Sequence, residues 1–245
     1  ASPVGPGRST WPKSRLAAAP IAAAPLPRRC FRRMATRSRR VDQSRLISVF
    51  ALDSWRRKGL DILSQAVMLL EKKMPELAID VYGRGSPRSL LEANQAIQST
   101  GAANRVRLMG PLPHANVQST INRYTAFVMA PRRETFGMVH VEAVLAGVPI
   151  LWSKGRGIDG LFDGFHIGCR CDPNSATEVA DGIRFLVENE QDLKRSIARR
   201  QSDNSFQSLR RDGIGGRYTA VLARVAGKAA PHAASFRSRH RPRVS

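Results

Sequence analysis

The stretch PRRETFGMVHVEAVLAGVP, residues 131–149, follows a short apolar run, FVMA at 127–130. Such a run is typical of a buried parallel strand. After a polar loop, apolar residues recur at helical spacing from about 137 to 146, and Gly147 ends the predicted helix before a proline. The stretch therefore predicts a strand, a loop and a helix, which is the repeating unit of α/β proteins.

Two carboxylates and a set of backbone amides make this stretch a candidate ligand site. Glu134 lies in the loop ahead of the predicted helix, and Glu142 lies in its second turn. Between them, the amides of Phe136, Gly137 and Met138 point out of the helix N-terminus, where an anion is favoured. Carboxylates accept hydrogen bonds from hydroxyls and amides bind phosphate, so the arrangement suits a ligand that carries both groups, such as a nucleotide sugar.

The run E-x7-E, here ETFGMVHVE from Glu134 to Glu142 followed by AGVP, resembles the donor-site signature of family 4 of the retaining glycosyltransferases. These enzymes, the glycosyl transferases group 1, have the GT-B fold. The resemblance implies that Glu134 hydrogen-bonds the donor sugar hydroxyls, that Glu142 binds the ribose hydroxyls, and that the amides at 136–138 hold the diphosphate. From the residues alone, a solvated loop acid and an exposed helix acid stay open as the alternative.

A second element of the resemblance is Lys58-Gly59 followed by LDIL, which is similar to the family's K-G element. In the family, this lysine meets the donor diphosphate, and a flexible ammonium ion suits that role. A solvated loop lysine is the alternative. The family also has an arginine shortly before this lysine, and the corresponding place here is Ala51. Arg56 and Arg57 are the candidate substitutes.

From Arg45 onward the sequence alternates between strand and helix signals. Strands are predicted at about 46–50, 77–82, 106–109, 126–130 and 148–152, and helices at about 59–73, 87–99, 115–124, 137–146 and 177–188. This alternation predicts an α/β fold with a doubly wound, Rossmann-like parallel sheet and right-handed crossovers. Ligands of such sheets bind at the carboxyl ends of the strands.

The resemblance covers about residues 46–200 and only the C-terminal, donor-binding half of a GT-B fold. We therefore predict a disordered Ala/Pro/Arg-rich leader at 1–44, a nucleotide-sugar-binding Rossmann-like domain at 45–226 and a basic disordered tail at 227–245. An organelle transit peptide, or a reading frame extended upstream of Met34, would also account for the leader. No segment matches the acceptor domain, so we expect a truncated chain that is not active alone.

The net charge of +21 belongs mainly to the two ends of the chain. Residues 1–45 carry eleven Lys/Arg against one acid, and residues 201–245 carry nine against two. Residues 46–200 carry twenty against sixteen, which is close to balance. Because the ends contain few aromatic residues, we do not expect specific nucleic-acid binding.

Three cysteines, Cys30, Cys169 and Cys171, are too few for a disulfide framework and suit a reducing compartment. We interpret them as ordinary thiols, since no other metal ligands lie at metal-binding spacing. The resemblance implies no cofactor and no metal, because the lysine and the helix dipole neutralise the leaving group. No apolar run approaches the roughly 20 residues of a membrane span. These features predict a cytoplasmic protein and leave open peripheral contact with a membrane surface.

Three functions follow, in order of preference. The first is the donor-binding domain of a retaining hexosyltransferase of glycan biosynthesis, which transfers a hexose from a nucleotide diphosphate sugar to a glycan or lipid-linked acceptor. A partner chain could then supply the acceptor domain. The second is an inactive nucleotide-sugar-binding module or a gene fragment. The third is a binder of anionic polymers or membrane surfaces that works through its basic ends.

Overall fold

Six parallel strands form the centre of the computed structural model, which describes residues 44–209. Their order in the sheet is β3-β2-β1-β4-β5-β6. The strands are β1 Arg45–Val49, β2 Ala78–Tyr82, β3 Val106–Gly110, β4 Ala126–Val128, β5 Ile150–Ser153 and β6 Gly168–Cys171. The chain builds β1 to β3 in one direction and then returns to place β4 beside β1. The carboxyl ends of β1 and β4 are therefore the point at which ligands of such sheets bind.

Within residues 44–209, six α-helices cover the two faces of this sheet. They are α1 Leu60–Leu69, α2 Pro87–Ser99, α3 Val117–Ile121, α4 Met138–Leu145, α5 Ala176–Glu188 and α6 Glu190–Ser202. Helices α1 and α5 pack against each other, as do α3 and α4. Right-handed crossovers place α1 and α4 on opposite faces, because the chain runs outward from the centre in opposite directions through them. The predicted doubly wound α/β fold is confirmed.

Several predicted elements differ from those in the structure. Helix α1 ends at Leu69 rather than near residue 73, and residues 70–73 form turns instead. The helix predicted at about 115–124 is a 3₁₀ turn, His114–Asn116, followed by the short α3. Helix α6 was not predicted, because it buries only Leu193 and Ile197 and is otherwise strongly polar. Strand β6 was also missing from the predicted strands.

A buried carboxylate ties together one half of the sheet. Asp80 of β2 is fully buried and pairs with Arg45 of β1 and with Nε of Arg107 of β3, the latter at 2.9 Å. The hydroxyl of Tyr124, just before β4, donates to the same carboxylate at 2.7 Å. Burial, with the hydrogen bonds to Tyr82 and Asp80, raises the pKa of Tyr124 well above its ordinary value. The carboxylate is satisfied on all sides, as a buried charge must be.

The cysteines of β6 have a structural role. Cys169 is half-buried and its thiol donates to the carbonyl of Gly182, while Cys171 is buried and its thiol donates to the carbonyl of Trp152. Burial raises the pKa of Cys171 to about 12, so its thiol stays protonated at neutral pH. The interpretation of these two as ordinary thiols is confirmed. Cys30 lies outside the described residues.

The predicted leader, apart from residue 44, and the whole predicted tail, 227–245, also lie outside residues 44–209. Their boundaries and the location of the protein in the cell remain predictions. None of the helices at residues 44–209 is long and apolar enough to cross a membrane.

Candidate functional site

A cleft of about 480 Å³ lies where the loops after β1, β4 and β5 meet. These loops belong to adjacent strands at the carboxyl edge of the sheet. The residues that line the cleft are Arg57, Lys58, Arg133, Glu134, Thr135 and Arg156. Four of these six carry a positive charge, which makes the cleft suited to an anionic ligand.

The two predicted site residues in this cleft contact each other. Lys58 Nζ donates to Glu134 Oε2 at 2.6 Å, although the two residues are 76 positions apart in the sequence. Their side chains are only 20% and 14% exposed. Burial acts to raise the pKa of Glu134, but the hydrogen bond and charge of Lys58, with the Thr135 amide, hold that pKa below its ordinary value. Glu134 is therefore ionised at neutral pH, and it is not the solvated loop acid of the alternative interpretation.

Two glycines allow the three loops to approach this closely. Gly59 has a φ of +76°, and a Cβ there would lie 2.7 Å from the carbonyl oxygen of Ala130 at the end of the β4 run. Gly157, in the loop after β5, has a φ of +58°, and a Cβ there would lie 2.8 Å from Cγ of Glu134. Any side chain at either position would push the loops apart.

Arg132 braces the same loops and was not identified from the sequence. Its guanidinium binds both carboxylate oxygens of Asp61 in α1 at 2.8 Å, and Nη1 also donates to the carbonyl of Arg56 at 2.7 Å. Its backbone amide donates to the carbonyl of Arg57 at 2.8 Å. Arg132 thus fixes the Glu134 loop against the Lys58 loop, and the contact spans 71 residues without any local sequence signal.

The N-terminus of α4 adjoins the cleft. Gly137 is its N-cap in the left-handed conformation, with a φ of +88°. Within residues 44–209, no group accepts a hydrogen bond from the amides of Phe136, Gly137 or Met138. These three amides therefore have no internal acceptor, and a helix N-terminus favours an anion at such amides. The Phe136 and Met138 side chains flank them, 43% and 54% exposed.

Glu142, like Phe136, Gly137 and Met138, is a predicted site residue that does not line the cleft. It lies one turn further along α4, its side chain is 19% exposed, and its Oε1 lies 3.3 Å from Nε2 of His114. This contact brings the turn after β3 against α4. Sequence reasoning did not assign His114 to the site, and only its place in the GPLPH turn after β3 could have suggested it.

His140 is packed beneath the first turn of α4. Its Nε2 lies 3.0 Å from the carbonyl oxygen of Met129, and its ring meets Phe127 edge-on at 5.2 Å. Its Nδ1 is buried and has no hydrogen-bond partner among the described residues. Burial lowers the pKa of His140, so the ring is neutral at pH 7. His140 is thus a histidine packed inside the fold.

The missing family arginine has one candidate substitute in the cleft. Ala51 is exposed at the start of a 3₁₀ turn, Leu52–Ser54. Arg56 is engaged elsewhere, because it pairs with Glu92 at 2.7 Å. Arg57 lines the cleft, where its Nη2 donates to the Ser54 hydroxyl at 2.6 Å.

Residues 44–209 contain no group of three or more His, Cys, Asp or Glu side chains placed to hold a metal ion.

In doubly wound sheets, ligands bind at the switch point, and here a cationic cleft lies at that point. Comparison with known families identifies the family. Residues 35–203 match the family Glycosyl transferases group 1, and the chain belongs to this family.

Two relatives illustrate the similarity. The GtfA subunit of the UDP-N-acetylglucosamine–peptide N-acetylglucosaminyltransferase of Streptococcus agalactiae is 36% identical over 94 residues, which are 38% of this chain and 18% of the relative. One subunit of the human phosphatidylinositol N-acetylglucosaminyltransferase is 32% identical over 131 residues, 54% of this chain and 26% of the relative. The matched region thus spans about a quarter or less of these relatives.

Among solved structures, HepE of Anabaena in complex with UDP and glucose superposes with a TM-score of 0.63 at 23% identity. The superposition covers 75% of this chain and 49% of HepE. At this identity the likeness concerns the fold alone, and the predicted GT-B, Rossmann-like architecture is confirmed.

Proposed function

We propose that residues 44–209 form the donor-binding half of a retaining glycosyltransferase and bind a nucleotide diphosphate sugar at the carboxyl edge of the sheet. One observation carries this proposal: Lys58 and Glu134 meet in a cationic cleft next to three backbone amides that have no acceptor among the described residues. Cations and amides together suit a diphosphate, and a carboxylate suits sugar hydroxyls.

In this proposal the diphosphate lies on the N-terminus of α4, against the amides of 136–138, with Lys58 and Arg57 beside it. Lys58 keeps its contact with Glu134, because an ammonium group has three donors and this contact uses one. Arg57 takes the place of the family arginine that Ala51 lacks. These groups stabilise the negative charge that develops on the leaving nucleotide diphosphate, which is where electrostatic catalysis acts.

Glu134 accepts hydrogen bonds from the donor sugar hydroxyls through the part of its carboxylate that Lys58 does not occupy. Glu142 accepts hydrogen bonds from the ribose hydroxyls, and its contact with His114 holds the turn after β3 in place to meet the nucleobase. The separation of Glu142 from the cationic cleft supports different roles for the two carboxylates, one toward the sugar and one toward the nucleoside.

The reaction breaks the bond between the anomeric carbon and the diphosphate oxygen and forms a bond to an acceptor hydroxyl, which loses its proton. The anomeric configuration is retained, as in the family. The acceptor must be held next to the donor, and that positioning accounts for much of catalysis. The described residues form one of the two domains of a GT-B enzyme. Both relatives named above are subunits, which supports a partner chain as one source of the other domain.

Calorimetric titration of the full chain with UDP, GDP and their hexose conjugates tests donor binding. We expect saturable binding with a Kd in the range of about 1 μM to 1 mM. Glu142→Ala should abolish it, and Glu190→Ala, whose carboxylate pairs with Lys194 on α6, should not. A folded chain that binds no nucleotide would overturn the proposal. Binding that survives Glu142→Ala and collapses with salt would instead identify the basic ends as the anion binder.

A further inference from the structure

The charge of the domain is concentrated at the cleft. Residues 46–200 carry twenty basic and sixteen acidic residues, an excess of four. The cleft lining holds four cations and one carboxylate, an excess of three. Since nearly all of the excess charge of this region lies in one cleft, the cations there are not a general property of a basic protein.

Two of the four cations have no partner among the described residues. Lys58 is paired with Glu134, and Arg57 donates to the Ser54 hydroxyl. In contrast, the side chains of Arg133 and Arg156 make no hydrogen bond or ion pair to any group within residues 44–209. Both residues are exposed and line the same cleft, where like charges repel one another, so an anion that binds there is favoured.

The neighbouring arginines behave differently. Arg56 pairs with Glu92, and Arg132 binds Asp61 through two hydrogen bonds of 2.8 Å. Glu92 and Asp61 therefore neutralise Arg56 and Arg132, but neither carboxylate lines the cleft. The guanidinium groups of Arg133 and Arg156 remain available to a ligand.

Arg156 lies on the opposite side of the Glu134 loop from Lys58. Lys58 follows β1 and Arg156 follows β5, and β4, which leads to Glu134, lies between those two strands. Gly157 packs directly against the Glu134 side chain, which places Arg156 one residue from that contact. If Glu134 binds the sugar, Arg156 borders the sugar rather than the end of the diphosphate next to Lys58.

We propose that the donor carries an acidic sugar, a nucleotide-activated uronic acid, whose carboxylate binds Arg156 with the support of Arg133. This inference rests on the proposed function of the cleft. The diphosphate of a nucleotide sugar brings two negative charges at neutral pH, and the carboxylate of a uronic acid brings a third, which matches the excess of three in the cleft. A guanidinium group binds a carboxylate through two parallel hydrogen bonds, which a neutral hydroxymethyl group cannot replace.

UDP-glucuronate and UDP-glucose test the proposal, because the two donors differ only in the oxidation state of C6. With the full chain in calorimetry, we expect UDP-glucuronate to bind about tenfold more tightly than UDP-glucose. Arg156→Gln should reduce this ratio to less than about twofold and leave the affinity for UDP within about twofold. Arg156→Lys should give an intermediate ratio, since it keeps the charge without the planar fork. If guanine is the preferred base, GDP-mannuronate and GDP-mannose form the matched pair.

Arg184→Gln is the control, because Arg184 lies on α5, where it pairs with Asp181. Equal affinities of the unmodified chain for UDP-glucose and UDP-glucuronate would overturn the proposal. A uniform loss of affinity for UDP, UDP-glucose and UDP-glucuronate in Arg156→Gln would also overturn it and would assign Arg156 to the diphosphate. Absence of binding to UDP and GDP themselves would refute the proposed function first, so the two failures are distinct.

Discussion

Replacing Lys58 by methionine removes the cation that lies 2.6 Å from Glu134 and leaves a carboxylate that is only 14% exposed. Breaking a fully buried pair costs about 3–5 kcal/mol, and an exposed pair is worth less than about 1 kcal/mol. Because this pair retains some contact with solvent, we expect Lys58→Met to lower the free energy of unfolding at pH 7 by about 1–2 kcal/mol.

The stability difference between the unmodified chain and Lys58→Met should also depend on pH. The pKa of Glu134 lies below its ordinary value of 4.5 in the folded protein, so its contribution to stability is present above pH 4.5 and is lost as the pH falls through the folded pKa. In Lys58→Met, burial acts without the opposing cation and raises the pKa of Glu134. The stability difference between the two proteins should therefore shrink between about pH 7 and pH 4.

Urea denaturation of the unmodified chain, Lys58→Met, Glu134→Gln and the double variant measures the coupling. We expect about 1–2 kcal/mol between positions 58 and 134 at pH 7. The pair Lys194 and Glu190 on α6 is the matched control, because its distance is similar, 2.7 Å, and its side chains are more exposed. Its coupling energy should be about 0.3–0.5 kcal/mol. A coupling at positions 58 and 134 no larger than that of the control pair would refute the reasoning.

Three further predictions concern stability and loop geometry. Asp80→Asn should lower the free energy of unfolding by about 2–4 kcal/mol in urea denaturation, because two arginines lose their buried partner. The control is Asp163→Asn at an exposed position, which should change the free energy of unfolding by less than about 0.5 kcal/mol. Similar losses in the two variants would contradict the account. Gly157→Ala should weaken nucleotide-sugar binding in calorimetry at least about tenfold, because a Cβ there would lie 2.8 Å from a site side chain. Gly160→Ala, with a similar positive φ but open space around it, should lose stability without losing affinity. Burial lowers the pKa of His140, so folding disfavours its protonated form, and stability should fall as the pH drops below 6.5. His140→Leu should therefore make the melting temperature less dependent on pH between about 7.5 and 5.5. An unchanged pH dependence in this variant would count against a buried neutral ring.

Periodic signals in the sequence were sufficient for most of the fold. Helix α2 begins at Pro87 and ends at Ser99, as predicted, because Pro87 occupies the first helical position and the Ser86 hydroxyl accepts from the Ser89 amide. The cap of α5 is Ser175, whose hydroxyl accepts from the Glu178 amide. Helix α6 gave no such signal, since two buried side chains one turn apart do not form a stripe wide enough to recognise.

The site could be predicted only in part, and the reason is physical. Motifs located Lys58, Glu134 and the amides after it in loops that follow predicted strands. Such loops converge at one edge of a doubly wound sheet, so these residues could be expected to lie close together. The pairing of Lys58 with Glu134, the brace from Arg132 to Asp61 and the contact of His114 with Glu142 are polar contacts between distant segments. Such contacts leave no periodic pattern, so only the three-dimensional structure could show them.

Hydrogen exchange of the full chain with and without UDP tests the central claim most directly, because that claim assigns the diphosphate to the amides at 136–138. We predict that UDP slows exchange in peptides covering residues 134–142 and in the peptide that contains Lys58, while peptides of α6 are unchanged. Exchange that is unchanged at 134–142, or slowed only in the basic ends of the chain, would contradict the assignment of the donor site.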